Sequence, residues 1–241
     1  MVVEKKSAIM CFYYLIAVDN NILDIELDTF NSVSAEIDPE NIESYKDSIL
    51  EEYKAQIATV IDEEDYYDVI SEGIDKYLIP TKDAVEGVSS RLLLWNLLVV
   101  AFSDGDYSVM ERRLIKHIVR VLNIEKDIFQ EMEQLMKTNV AVTKEIDALE
   151  SSDKPYNEIR PIVEEIEERR NVILNAAKTL IEDEIYEPVA KVNMPEKKFI
   201  EDAKQTMDKI GSGVASAVSP IASNIGDNAK KLWGNIFKKD K

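Results

Sequence analysis

Two short acidic stretches carry the residues best suited to chemistry. One reads Asp19-Asn20-Asn21-Ile22-Leu23-Asp24-Ile25-Glu26, the other Asp104-Gly105-Asp106-Tyr107-Ser108-Val109-Met110-Glu111. At an offset of 85 residues Asp19 falls on Asp104, Asn21 on Asp106 and Glu26 on Glu111. Carboxylates are hard oxygen donors, the type that calcium takes in sets of about six to eight at ~2.3–2.6 Å. Asp104, Asp106 and Ser108 have the one-three-five spacing that opens an EF-hand loop. Val109 then stands where that loop needs Gly, and Ile115 where it needs a bidentate Glu, so this is not an EF-hand. A divalent-cation site built on Asp104, Asp106 and Glu111, with Asp19, Asn21 and Glu26 as the more divergent counterpart, needs carbonyls, water or the other stretch to complete it. A second account uses the same residues. Asp104-Gly105 makes a turn, and Ser108 with Glu111 forms a capping box for the next helix. Such a cap alone contributes about 0.5–2 kcal/mol.

The elements that must position these residues also come twice. A dense apolar run precedes each stretch, Ile9 to Val18 and Leu92 to Phe102, and each stretch is followed by a helical pattern. The apolar runs predict buried helices, since about eleven residues rise only ~16 Å against ~30 Å of hydrocarbon. A helix is expected from about Asp24 to Ala35, and another after the break at Asp38-Pro39, with Pro39 in its first turn. Ile42, Tyr45, Ile49, Tyr53, Ile57 and Val60 are its apolar positions. Asp62-Glu63-Glu64-Asp65 should open a further helix through Tyr66, Ile70, Ile74 and Tyr77 to Pro80, with Tyr66-Tyr67 at the edge of the core. In the second copy Leu114, Ile115, Ile118, Val121 and Leu122 line one helix and Ile128, Met132, Leu135 and Met136 the next. No strand-like alternation of useful length is visible. The fold class predicted is all-α: a pseudo-symmetric duplicated helical bundle with an extra long C-terminal helix and a flexible basic tail.

That organisation gives a domain over 1–150, with repeats at about 8–79 and 82–140, and a helical extension over 151–190. The extension reads as one amphipathic helix over 158–186, with Ile162, Ile166, Ile173, Ala177, Leu180 and Ile181 as its stripe. A linker and basic amphipathic tail follow over 191–241.

Other chemistry finds little support. His117 is the only histidine, six residues after Glu111 and so about 600° further round a helix. There is no Glu-x-x-His, no His-Glu-x-x-His, no Gly-rich phosphate loop and no Gly-x-Ser-x-Gly. Cys11, the only cysteine, lies in an apolar run with no charged neighbour to activate it. A lone cysteine forms no intramolecular disulfide, which favours a reducing compartment and a cytoplasmic location. A hydrolase would have to work with carboxylates and metal alone, so no enzyme is expected.

Net charge is −18 over 241 residues, unevenly placed. Residues 203–241 hold seven lysines against three aspartates, +4, which leaves −22 on residues 1–202. So acidic a body repels nucleic acid and suits cations or basic partners. In the tail, Trp233, Ile236 and Phe237 share one helical side among Lys230, Lys231, Lys238 and Lys239. Aromatics with flanking lysines form a weak interfacial anchor for anionic lipid at the inner face of a membrane. The same segment is also explained as a frayed terminus or as a helix docked on the acidic body.

The second acidic stretch, with the apolar helix leading into it and Leu114-Ile115 beyond, resembles the TerB-like (tellurite-resistance B) family. Its recurring phrase is a small residue, Asp-Gly, an acidic and an apolar residue, then Glu opening the next helix. The likeness covers about residues 8–140. The first copy departs from it, with Asn20 for Gly and Asn21 for the acid. The resemblance implies a cytoplasmic, stress-associated, non-catalytic protein that binds a divalent metal, calcium above all. It also implies a protein partner such as a membrane-bound resistance complex. Carried onto this chain, the metal residues are Asp104, Asp106 and Glu111, then Asp19, Asn21 and Glu26. The function expected is a divalent-metal-responsive protein-interaction module. The alternative is a peripheral membrane scaffold anchored by the tail.

Overall fold

A computed structural model describes residues 1–60, 65–79 and 87–186, apart from the side chains of 183–186. The expected helix start at Asp62-Glu63-Glu64, the break at Pro80, the linker and the tail residues Lys230, Lys231, Trp233, Ile236, Phe237, Lys238 and Lys239 lie outside the described residues. In chain order the elements are β1 (Val2–Glu4), α1 (Lys5–Ile16), α2 (Asp24–Ile37), α3 (Ile42–Ile57), α4 (Tyr66–Asp75), β2 (Gly87–Ser89), α5 (Ser90–Ala101), α6 (Val109–Val121), α7 (Lys126–Glu150) and α8 (Tyr156–Tyr186). The protein is mostly helical, as its composition and periodicity predict.

The two apolar helices α1 and α5 pack on each other at the centre. α2, α3, α4 and α6 cover α1, while α2, α6, α7 and α8 cover α5. A helix enclosed on every side has no polar face, which is why Ile9, Met10, Phe12, Leu15, Leu93, Leu94, Trp95 and Leu98 are all buried. Their bounds recur at the same offset of 85: α1 and α5 begin and end in step, and α2 and α6 begin in step.

The described residues also contain a short β-ribbon, which departs from the all-helical expectation. β1 and β2 pair antiparallel with Val2 opposite Ser89, Val3 opposite Val88 and Glu4 opposite Gly87. Three residues are too few to display a period of two. Val3 therefore faces the residue 85 positions ahead of it, and exchanging the strands leaves the register unchanged. This ribbon ties together the N-terminal ends of α1 and α5, so both acidic stretches lie at the other end of the central pair.

α7 and α8 form a long helical hairpin. Val142, Ile146, Ile166 and Ile173 make a small core of their own, whereas Leu174, Ala177 and Ile181 join the main core. Arg91 on α5 donates to the Leu180 carbonyl at 3.0 Å, so the end of α8 is fastened to the central helix. Two expectations are corrected here. Ile162 is 43% exposed; the seam keeps the expected Ile166 and Ile173 and runs through Ile159 and Arg170 in place of Ile162. Pro39 lies in a turn ahead of α3, which begins at Ile42. No helix among the described residues is long and apolar enough to cross a membrane.

Candidate metal site

The acidic stretches fold as turns built the same way. In the first, Asp19 Oδ1 accepts from the Asn21 amide at 3.0 Å. In the second, Asp104 Oδ1 accepts from the Asp106 amide at 2.8 Å. Each is an Asx turn, in which a side-chain oxygen replaces a backbone acceptor. The residue between adopts positive φ, 61° at Asn20 and 84° at Gly105. After Gly, Asn is among the residues that best tolerate this left-handed conformation, so Asn20 and Gly105 support the same kind of turn.

Each turn then delivers a glutamate that folds back on the chain. Glu26 Oε2 accepts from the Leu23 amide at 2.7 Å, and Glu111 Oε2 from the Ser108 amide at 2.8 Å. In the second stretch the box is complete, because Ser108 Oγ accepts from the Glu111 amide at 3.1 Å. Leu23 has no side-chain acceptor, so the first stretch has only the glutamate half.

Helix packing sets the two turns within electrostatic reach of each other. α2, which leaves the first turn, packs on α5, and α6, which leaves the second, packs on α1. The charges of Asp19 and Asp104 reach Glu26, and those of Glu26 and Asp104 reach Glu111. Both glutamates are buried, at 5% and 4% exposure. Burial first, then these neighbouring carboxylates, raise Glu26 to about 7 and Glu111 to about 8. Burial likewise raises Asp104 above the usual aspartate range. Asp106, Asp19 and Asn21 are exposed at the rim.

Glu111 supplies the informative atom. Its Oε2 is bonded, but Oε1 is buried with no hydrogen-bond partner. A buried carboxylate oxygen without a donor is costly unless it carries a proton or meets a cation. By donor chemistry, Asp19, Glu26, Asp104 and Glu111 suit calcium or another hard divalent ion. They are not drawn together, however: among the described residues no three carboxylate, imidazole or thiol groups converge closely enough to hold an ion.

The supports of the turns are long-range and left no local signal in the sequence. The Tyr66 hydroxyl donates to the Ala17 carbonyl at 2.5 Å, at the end of α1, and pairs with the Tyr53 hydroxyl at 2.8 Å. Lys144 on α7 reaches the Gly105 carbonyl at 3.4 Å. Arg112, just after Glu111, makes a two-pronged contact with Glu133 of α7 at 2.7 and 2.8 Å. His117 lies apart from the turns, with Nε2 at 2.6 Å from Asp75 Oδ1. Cys11 is fully buried, and burial pushes its thiol well above the ordinary range, which makes it unreactive.

Comparison with family models, with curated protein sequences and with solved structures returned no match.

Proposed function

We propose that the chain is a TerB-like duplicated helical domain that works as a divalent-cation-responsive, non-catalytic protein-interaction module. The observation that carries this reading is the unpartnered, buried Oε1 of Glu111 amid the charges of Glu26 and Asp104. Asp104, Glu111, Glu26 and Asp19 would hold the ion, with Asp106 and Asn21 at the rim. A bound cation supplies the positive charge that lets these carboxylates ionise together. Without it, protons or separation must relieve their repulsion. Because the turns belong to different halves, drawing them together alters how α2 and α6 sit on the central pair. A protein partner, of the kind a membrane-bound resistance complex provides, would read that change. A cytoplasmic location fits the lone cysteine. The test is thermal unfolding of the full chain in chelator and in millimolar calcium. A ligand at about 100 times its Kd adds ~2.7 kcal/mol to stability. An unfolding temperature identical in both buffers overturns the reading.

The reversal of charge after residue 202 favours a second reading, in which the tail anchors the body to anionic lipid. Co-sedimentation with phosphatidylserine vesicles should then fall when Trp233 and Phe237 are changed to Ala. Equal pelleting of the two proteins contradicts it.

A further inference from the structure

The two acidic turns differ in what covers them. In the second half, Tyr107 stacks on Phe102 with ring centres 4.4 Å apart, Ser108 caps α6, and Arg112 is clasped by Glu133. The residues 85 positions earlier are Ile22, Leu23 and Leu27, and each is solvent-exposed, at 39%, 37% and 38%. Leu23 and Leu27 stand one helical turn apart and Ile22 directly precedes Leu23, a small exposed apolar patch at the start of α2. Exposed Asp19, Asp24 and Asp28 are its near neighbours along the chain. A patch of three side chains is far smaller than the ~800 Å² per side of a stable protein–protein interface. It matches a short amphipathic segment with a few apolar anchors and basic flanks.

The chain carries such a segment outside the described residues. We infer that residues 230–239 dock on this patch of the same chain, Trp233, Ile236 and Phe237 against Ile22, Leu23 and Leu27, with Lys230, Lys231, Lys238 and Lys239 against the neighbouring carboxylates. Three observations agree. The apolar anchors match in number, three against three. The charges are opposite, four lysines meeting Asp19, Asp24 and Asp28 within a body of −22. The reach is ample. α8 is fastened through Leu180 to Arg91 at the ribbon end of α5. The acidic turns lie one helix length further, about 18 Å for twelve residues. The 43 residues between Tyr186 and Lys230 can span up to roughly 140 Å. Tethering also raises the local concentration of the segment to the millimolar range, so a small contact suffices. The lysines and a cation compete for the same carboxylates, so the ion expels the tail. That last step rests on the cation reading; the docking does not.

The full chain reports on itself through its two tryptophans. Trp95 is 1% exposed and shielded, so acrylamide quenching reads Trp233, with Trp233→Phe as the blank. At low salt in chelator the docked tail gives weak quenching. Quenching rises several-fold in Ile22→Ser/Leu27→Ser, and equally in Lys230→Glu/Lys231→Glu/Lys238→Glu/Lys239→Glu. Equal quenching in all three proteins overturns the docking, as does a shielded Trp233 that neither set of changes exposes. Calcium at millimolar concentration should expose Trp233 in the unaltered chain. If it does not while docking holds, the competition with the ion is wrong and the docking stands.

Discussion

Glu26 and Glu111, 85 residues apart, each bend back to accept the backbone amide three positions earlier, and each is buried at no more than 5% exposure. The charge of Glu26 reaches Glu111. Two carboxylates that share a low-dielectric region cannot both ionise without a counter-charge. The pair therefore links protonation to folding and, on the proposed reading, a cation as well.

The first consequence is a pH dependence. In the folded chain Glu26 and Glu111 titrate near 7 and 8, against 4.5 for a free glutamate. The folded state thus holds protons that the unfolded chain has released, and stability falls as pH rises through this window. The contribution is fully present below about pH 4.5 and is lost above pH 8. Glu111→Gln keeps an oxygen for the Ser108 amide and removes the charge. In chelator at pH 8.5 it should stabilise by about 1–3 kcal/mol and flatten the profile. Denaturant melts of both proteins at pH 5.5 and 8.5 check this; an unchanged slope contradicts it.

Gly73 tests the contact of α4 with α1. A Cβ there would lie 2.7 Å from Tyr14 Cε1 and 2.9 Å from its hydroxyl. Tyr14 is buried and packs edge-on against Tyr53 at 5.8 Å, so the ring has little room to move. Gly73→Ala should therefore destabilise by about 1–3 kcal/mol, although Ala favours a helix by ~1 kcal/mol over Gly. Tyr14→Leu in the same chain should recover part of the loss of unfolding temperature.

Tyr66 holds the end of α1 just before the first turn. Tyr66→Phe removes the bond to Ala17 and strands the Tyr53 hydroxyl, at a cost of about 1–3 kcal/mol. Hydrogen exchange should rise at the Asn20 and Asn21 amides and stay unchanged at Gly105 and Asp106. Equal effects on both turns would show that Tyr66 does not act locally.

Much of the helical layout is written in local patterns. The all-apolar runs required two enclosed helices, and Ser108 with Glu111 marked the start of α6 at Val109. The seam of α8 was misread because Arg170, 8% exposed, occupies a position that an apolar stripe would fill. With that polar residue in place, a stripe through Ile162 fits the spacing equally well. The ribbon escaped because three residues cannot show alternation. Of the candidate site, the individual turns were legible but their electrostatic coupling was not. Whether Asp104 feels Glu26 depends on α2 crossing to α5, and no local spacing encodes that. The same holds for Tyr53, Tyr66 and Lys144, each tied to the turns by contacts far apart in sequence.

The most direct test of the cation reading is a calorimetric calcium titration of the full chain beside Asp104→Asn/Asp106→Asn. Saturable binding in the unaltered protein, lost in the double variant and weakened by Glu26→Gln in the other turn, is the expected result. No binding in the unaltered protein, or binding that the double variant keeps, would contradict it and leave the acidic turns as helix caps.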